Sequence, residues 1–434
     1  MSVFEIGAIL IGLSALFGYL NHKFLRLPHT IGLVVIALAA SLAIVILEFF
    51  WPETEVVSIV TGVLGQIDFH DAVMHGMLSF LLFAGALHVD FSAFRGRALS
   101  IGLMATLGIL ISTFLIGWAS WLLLNFFGIE TPFIWALVFG ALISPTDPVA
   151  VLGLFKTVQV PESLEAKMAG ESLFNDGVGV VVFTVVVAIA AGAGGHAGAM
   201  TVMSVAELFF TEAVGGAILG LIAGYISYRA MHHIDEHNLE VLITLATVMV
   251  TYVVALRLHM SGPIAMVVAG LFVGNKGMQF AVSENSRDHI QKFWSLLDEI
   301  LNSVLFLLIG LEVLIIAQRA DHIGVALLLI PVTLVARWAA VFIPITILSP
   351  WRSFTRGAIP ILTWGGLRGG IAVALALSLP VNEYKPTILT ITYAVVLFSI
   401  IIQGLTIQLL VERTVASGDI QDEIAAPDHS GSSS

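Results

Sequence analysis

The chain has 434 residues, of which 58% are apolar and only 11% are charged, and its formal net charge is −12. Soluble globular proteins carry about 25% charged residues, so this composition excludes a large soluble enzyme, a disordered scaffold and a nucleic-acid-binding protein. The absence of cysteine excludes disulfides and thiolate chemistry. Lipid accepts only helices and closed barrels, and the apolar runs exceed the roughly ten residues of a barrel strand. The sequence therefore predicts an all-α polytopic membrane protein.

Thirteen apolar stretches follow one another along the chain and predict thirteen transmembrane helices. We place them at 4–20, 29–50, 71–90, 98–127, 132–155, 165–192, 203–230, 239–257, 262–275, 293–317, 322–348, 354–379 and 386–411. The connections are short, and the chain has no Gly-x-x-x-x-Gly-Lys-[Ser/Thr] motif for nucleotide phosphates. We therefore expect one transmembrane unit over residues 1–412 that ATP does not drive directly. We expect the tail, 413–434, to be short, cytoplasmic and disordered.

Lysine and arginine are divided unequally between the two sets of loops. Thirteen of the 18 basic residues lie in the tail or in loops after odd-numbered spans, three lie in loops after even-numbered spans, and two lie inside spans. Because short cytoplasmic loops are enriched in basic residues, the count predicts an N-terminus outside the cell membrane and a C-terminus in the cytoplasm.

The fifth span contains two prolines three residues apart, in the sequence Ser-Pro-Thr-Asp-Pro at 144–148. Each proline removes a backbone donor and clashes with the preceding turn, so the helix should break here. Broken helices inside a membrane expose carbonyl groups that coordinate cations. Asp147 lies at the break and is a candidate ligand, and the alternative is a structural kink in which Asp147 is a capping residue.

The sixth span carries polar side chains on two adjacent faces. Glu171 and Asn175 share one face, and Ser172 and Asp176 share the next, because residues four apart are neighbours on a helix. An ionisable side chain inside a span indicates function by default. The alternative is a polar contact that only holds helices together, and this alternative is stronger for Glu171 than for Asp176.

Two arginines lie inside the last spans. Arg337 is near the middle of the eleventh span, and Arg368 lies between two glycine pairs in the twelfth. A buried guanidinium needs a carboxylate partner, and Glu171, Asp147 and Asp176 are all candidates. For each arginine, a structural ion pair is an alternative to direct contact with a substrate.

Taken together, these motifs resemble those of the cation/proton antiporter-1 family, which includes the NhaP-type sodium/proton exchangers of bacteria and archaea. The resemblance covers nearly the whole transmembrane chain. It is carried by Ser-Pro-Thr-Asp-Pro-Val at 144–149, Glu-Ser-Leu-Phe-Asn-Asp-Gly at 171–177, Ala-Arg at 336–337, Gly-Gly-Leu-Arg-Gly at 365–369 and Ile-Gln-Gly-Leu-Thr at 402–406.

The resemblance implies a fold and a set of residue roles. The fold has two inverted repeats, in which spans 5 and 12 are unwound and cross. Spans near 98–192 and 322–411 form a core, and spans near 4–90 and 203–317 form a dimerisation scaffold. Asp176 exchanges the cation for a proton, with Asp147, Thr146 and Ser172 as further ligands. The roles implied for the remaining polar residues are a supporting network (Asn175, Glu171, Arg337) and a charge that balances the crossing (Arg368).

The resemblance therefore predicts a secondary antiporter that exchanges Na⁺ or Li⁺ for H⁺, without a cofactor, as a homodimer in membrane lipid. Because Asn175 is neutral, Asp176 is the single carboxylate that titrates at its turn, which predicts electroneutral 1:1 exchange. A K⁺/H⁺ antiporter on the same scaffold is the close alternative. An intramembrane aspartyl protease is a remote alternative, because paired carboxylates activate water but the Gly-x-Gly-Asp motif of such proteases is absent.

Overall fold

The structure is a computed structural model of the chain, and it describes residues 2–51, 60, 62, 71–89, 98–147, 162–192, 202–316, 322–350 and 357–414. Eleven α-helices of at least ten residues lie before the last two predicted spans in the described part of the chain. They are α1 (Val3–Leu20), α2 (His29–Phe50), α3 (Leu78–Leu87), α4 (Ala98–Phe126), α5 (Phe133–Ile143), α6 (Glu162–Gly192), α7 (Val202–Met231), α8 (His237–Arg257), α9 (Gly262–Phe272), α10 (Glu284–Ile316) and α11 (Ile323–Leu348).

The last two predicted spans are each made of more than one segment. The twelfth consists of α12 (Ala358–Trp364) and α13 (Gly370–Leu377), and the thirteenth of α14 (Lys385–Phe398), a π-helical turn (Ser399–Gln403) and α15 (Gly404–Thr414). Each predicted span thus contains a described helix, and eight helices in the described part are long and apolar enough to cross a bilayer. The predicted fold class is confirmed. The predicted tail from residue 415 onward lies outside the described residues.

The tenth helix begins earlier than the sequence predicts, at Glu284 instead of residue 293. Its first turns are polar and exposed, and Lys292 pairs with Asp288 across one turn at 2.6 Å. Such turns are helical without being apolar, because neighbours three or four residues apart stabilise each other. A prediction from hydropathy therefore misses them.

Close packing between helices rests on small residues. A Cβ atom added at Gly140 of α5 would collide with the backbone of α4 at Thr113. One at Gly310 of α10 would collide with Ala37 of α2. In lipid, where apolar surface alone does not drive helices together, such contacts allow the backbones to approach closely. They hold α5 against α4 and α10 against α2.

Candidate functional site

The breaks in the fifth and twelfth spans meet each other. The helix α5 ends at Ile143, and the chain from residue 144 to Asp147 is not helical. The backbone N–H of Asp147 donates to the carbonyl of Leu367 at 2.8 Å, in the gap between α12 and α13. The twelfth span is therefore broken where the sequence predicts, α5 ends where the sequence predicts, and the two unwound backbones meet. The predicted remainder of the fifth span, 148–155, lies outside the described residues.

Arg368 lies at the end of α5. Its Nη1 donates to the carbonyl oxygens of Ser144 and Pro145, the second at 3.0 Å, and its backbone N–H donates to the Ser399 hydroxyl at 2.9 Å. The free carbonyls at a helix C-terminus carry partial negative charge. A buried guanidinium at this position therefore offsets that charge and satisfies carbonyls that the break leaves without helical partners.

Asp147 lies against the start of α13. A Cβ added at Gly369 would collide with Asp147 Oδ2 and would come within 2.6 Å of the Asp147 Cβ. A helix N-terminus favours negative charge, so the start of α13 stabilises this carboxylate. The crossing thus places a carboxylate at the start of one half-helix and a guanidinium at the end of the other.

We predict that Gly369→Ala destabilises the protein by about 1–3 kcal/mol, because the added methyl group forces the Asp147 side chain and the crossing apart. Thermal unfolding in detergent measures the change. The control is Gly102→Ala in α4, where a Cβ meets no atom within 4 Å and helix propensity should stabilise by up to about 1 kcal/mol. Equal stability of the two variants would contradict this view of the crossing.

The polar residues of the sixth span are all buried on α6: Glu171, Ser172, Asn175 and Asp176. Two of them fasten Thr146 to this helix. Asn175 accepts from the Thr146 N–H at 3.2 Å and donates to its hydroxyl at 2.7 Å. The Ser172 hydroxyl donates to the Thr146 carbonyl and lies 3.0 Å from its hydroxyl. The unwound segment after α5 is therefore held in place by α6.

The four predicted ligand residues lie on the two segments that meet at this junction, the unwound chain after α5 and the polar face of α6. Asp176 lies one turn beyond Ser172 on α6 and is 7% exposed. It lies within electrostatic range of the Asp147 carboxylate. Carboxylate, hydroxyl and carbonyl oxygens are the donors that hard cations prefer. The crossing and α6 thus bring together two carboxylates, two hydroxyl groups and a backbone carbonyl.

Glu171 is paired with Arg337, which settles a pairing that the sequence left open. Both Nη atoms of Arg337 donate to the Glu171 carboxylate, Nη2 to Oε2 at 2.9 Å. Nε and Nη2 also donate to the Leu362 carbonyl of α12, at 3.2 and 3.0 Å. Both charged side chains are buried. This pair therefore connects α6, α11 and α12 behind the crossing.

Sequence reasoning gave no role to several further carboxylates inside predicted spans, among them Glu240, Glu312 and Asp298. Glu240 of α8 is fully buried, and Glu312 of α10 is 8% exposed. Asp298 of α10 is half-buried and lies within electrostatic range of Asp147. The rule that an ionisable residue in a span indicates function applies to these three carboxylates as well.

Comparisons with known proteins give one consistent result. The family model described as the transmembrane sodium/hydrogen exchanger matches residues 12–413. The Na⁺/H⁺ antiporter NhaP of Pseudomonas aeruginosa is 46% identical over 96% of this chain and 98% of its own length. The Na⁺/H⁺ antiporter NhaH of Halobacillus dabanensis is 33% identical over 90% of this chain and 93% of its own length.

A solved structure has the same fold. The sodium proton antiporter MjNhaP1 from Methanocaldococcus jannaschii, determined at pH 8, matches with a TM-score of 0.73 and 19% identity. The match covers 95% of this chain and 98% of that chain.

Proposed function

Because the chain belongs to the sodium/hydrogen exchanger family, we propose that it exchanges Na⁺ or Li⁺ for H⁺ across the cell membrane. It is a secondary transporter and not an enzyme, which excludes the alternative of an intramembrane aspartyl protease. The observation that carries the proposal is the crossing itself, where unwound backbone from the fifth and twelfth spans meets at Asp147 and the polar face of α6, which carries Asp176, binds the adjacent Thr146. Asp176 is buried and Asp147 is half-buried, and two neighbouring carboxylates inside a membrane need a cation or a proton to be stable.

Competition for one carboxylate couples the two ions. With a cation bound, Asp176 is ionised, and the Asp147 carboxylate with the Thr146 and Ser172 oxygens completes the coordination. When the cation leaves, two neighbouring negative charges repel each other, and one carboxyl group takes up a proton. In either state the site carries the same charge. Exchange of the two ions follows if the core carries the site from one side of the membrane to the other only when a cation or a proton occupies it.

The remaining predicted residues support this site. Asn175 fixes the position of Thr146. The Glu171–Arg337 pair holds α6 against α11 and α12. Arg368 offsets the partial negative charge at the end of α5, because it donates to the carbonyl groups of residues 144 and 145.

Sodium/proton exchange is tested in everted vesicles that hold a pH gradient reported by a fluorescent dye. We expect fluorescence dequenching on addition of Na⁺ or Li⁺ and little change on addition of K⁺. Dequenching by K⁺ alone would instead identify the K⁺/H⁺ alternative. No response to any of the three cations, in vesicles that contain the folded protein, would contradict the proposal.

We further propose electroneutral exchange of one cation for one proton. Its support is the neutral carboxamide of Asn175, which accepts from and donates to Thr146 and leaves Asp176 as the titrating group of its turn. In proteoliposomes with the voltage clamped by K⁺ and valinomycin, the exchange rate should not change with voltage. A systematic shift of the rate or of the reversal point with voltage would show that a second proton, carried by Asp147, takes part.

We also propose an orientation of the chain in the membrane and a division into a core and a scaffold. We propose that the N-terminus lies outside and the C-terminus in the cytoplasm, and the distribution of the basic residues between the loops supports this orientation. We assign spans near 98–192 and 322–411 to the core, and those near 4–90 and 203–317 to a scaffold through which two copies form a homodimer. The packing of α4 against α5 and α11, and of α10 against α2, supports this division.

A further inference from the structure

The helix α10 faces the crossing with one side and the scaffold with the other. A Cβ added at Gly370, the first residue of α13, would collide with Leu305 of α10. On the opposite side, the Gly310 carbonyl accepts from the Ser41 hydroxyl of α2 at 3.1 Å. The helix is therefore attached to the scaffold by one side, and Leu305 marks the side that touches the core.

Asp298, Leu305 and Glu312 are spaced seven residues apart. A seven-residue step changes direction on an α-helix by only about 20°, so all three lie on the side that faces the core. The two carboxylates are separated by about 21 Å along the axis, at 1.5 Å per residue. Leu305 is buried between them at the crossing. The side of α10 that faces the core thus carries one carboxylate before and one carboxylate after the apolar contact that Leu305 makes.

Asp298 interacts with the crossing from the side on which α10 begins. It is half-buried, and the charged groups within its electrostatic range are His88 at the end of α3, Asp147, and the adjacent Glu299. The Asn302 side chain, one turn further on, also approaches it. Asp298 thus interacts with Asp147, a proposed ligand of the cation, but is not itself part of the cation site. It is placed to hold a cation just outside that site.

Glu312 occupies the corresponding place on the side on which α10 ends. It is 8% exposed and lies within electrostatic range of Tyr393 on α14. The Tyr393 hydroxyl is buried and has no hydrogen-bond partner among the described residues. A carboxylate and a hydroxyl without a hydrogen-bond partner, both buried inside the membrane part of the protein, favour a polar ligand between them. Each buried polar group without a partner costs free energy.

We propose that Asp298 and Glu312 are two access sites for the transported cation, one on each side of the membrane, and that Leu305 separates them. Asp298 attracts the cation on the cytoplasmic side and passes it to Asp147 and Asp176. Glu312, with the Tyr393 hydroxyl, does so on the outer side. This inference rests on the proposed cation/proton exchange and on the proposed orientation, and it adds a role for the scaffold in supplying the site from both sides.

The test compares vesicles of both orientations, everted and right-side-out, and measures the Na⁺ concentration that gives half-maximal exchange from the outer bath. We expect Asp298→Asn to raise this concentration about tenfold in everted vesicles, and Glu312→Gln to do so in right-side-out vesicles, because an acidic cleft raises the local cation concentration by about tenfold or more. Each variant should leave the other orientation, and the rate at saturating Na⁺, within about twofold.

Glu284→Gln is the matched control, since it removes the same charge from an exposed position at the start of α10 and should change neither orientation. The charge-preserving variants Asp298→Glu and Glu312→Asp should restore most of the affinity, and they keep the test valid if a neutral variant does not fold. Equal effects in both orientations, or none, would overturn the inference. The proposed exchange would itself fail only if the wild-type vesicles showed no Na⁺-dependent proton flux.

Discussion

Asp176→Asn is expected to abolish Na⁺-dependent proton flux while leaving the protein folded. The carboxamide keeps the size of the side chain but neither binds a proton nor carries the charge that attracts the cation. Asp147 does not replace it, because that carboxylate is held at the crossing against Gly369 at the start of α13. Flux is measured in proteoliposomes, and folding by size-exclusion chromatography and thermal unfolding.

Glu165→Gln provides the control for this variant. Glu165 is exposed near the start of the same helix, α6, so its neutralisation removes a charge from α6 without touching the site. We expect normal exchange from it. Substantial flux from a well-folded Asp176→Asn protein would show that another group carries the proton.

The crossing was predictable because its causes are local in the sequence. Two prolines within four residues remove backbone donors whatever surrounds them, and the glycine pairs around Arg368 mark a second place where a helix is weak. The polar face of α6 was also predictable, since residues 171, 172, 175 and 176 fall on adjacent faces by helical geometry alone. The order of these motifs then indicated the family.

The pairing of charges was not predictable, because it depends on how distant helices are arranged in space. Glu171 and Arg337 are 166 residues apart, and nothing in their local sequence distinguishes Arg337 from Arg368 as the partner. The structure separates the two by their acceptors. Arg337 binds a carboxylate, whereas Arg368 binds the carbonyl oxygens at the end of α5. Helix ends thus compete with acids for a buried guanidinium.

The carboxylates of α10 were overlooked for a different reason. Asp298 lies two turns before Leu305 on α10, and Glu312 lies two turns after it. That these side chains share one side of the helix matters only once Leu305 is known to contact Gly370. A hydropathy pattern identifies such a span but does not say which of its sides faces the core. Contacts between helices supply that information.

The second large effect is expected from the Glu171–Arg337 pair. Removing either member by Glu171→Gln or Arg337→Leu leaves a buried charge without its partner, which should destabilise the protein by about 3–5 kcal/mol. Replacing both at once removes the unpaired charge, so the double variant should lose far less than the sum of the two single losses. Thermal unfolding of the wild type and the three variants gives the coupling free energy.

An exposed ion pair elsewhere in the chain provides the reference for this measurement. Lys292 and Asp288 form an ion pair at 2.6 Å on α10, with side chains 75% and 57% exposed. Exposed pairs contribute about 0.2–1 kcal/mol, so the cycle of Lys292→Met and Asp288→Asn should show weak coupling that falls further with added salt. The buried pair should show coupling of several kcal/mol that salt barely changes, because lipid and protein exclude the screening ions. Strictly additive losses at Glu171 and Arg337 would mean that the two side chains do not meet, and the link between α6, α11 and α12 would have to be sought elsewhere.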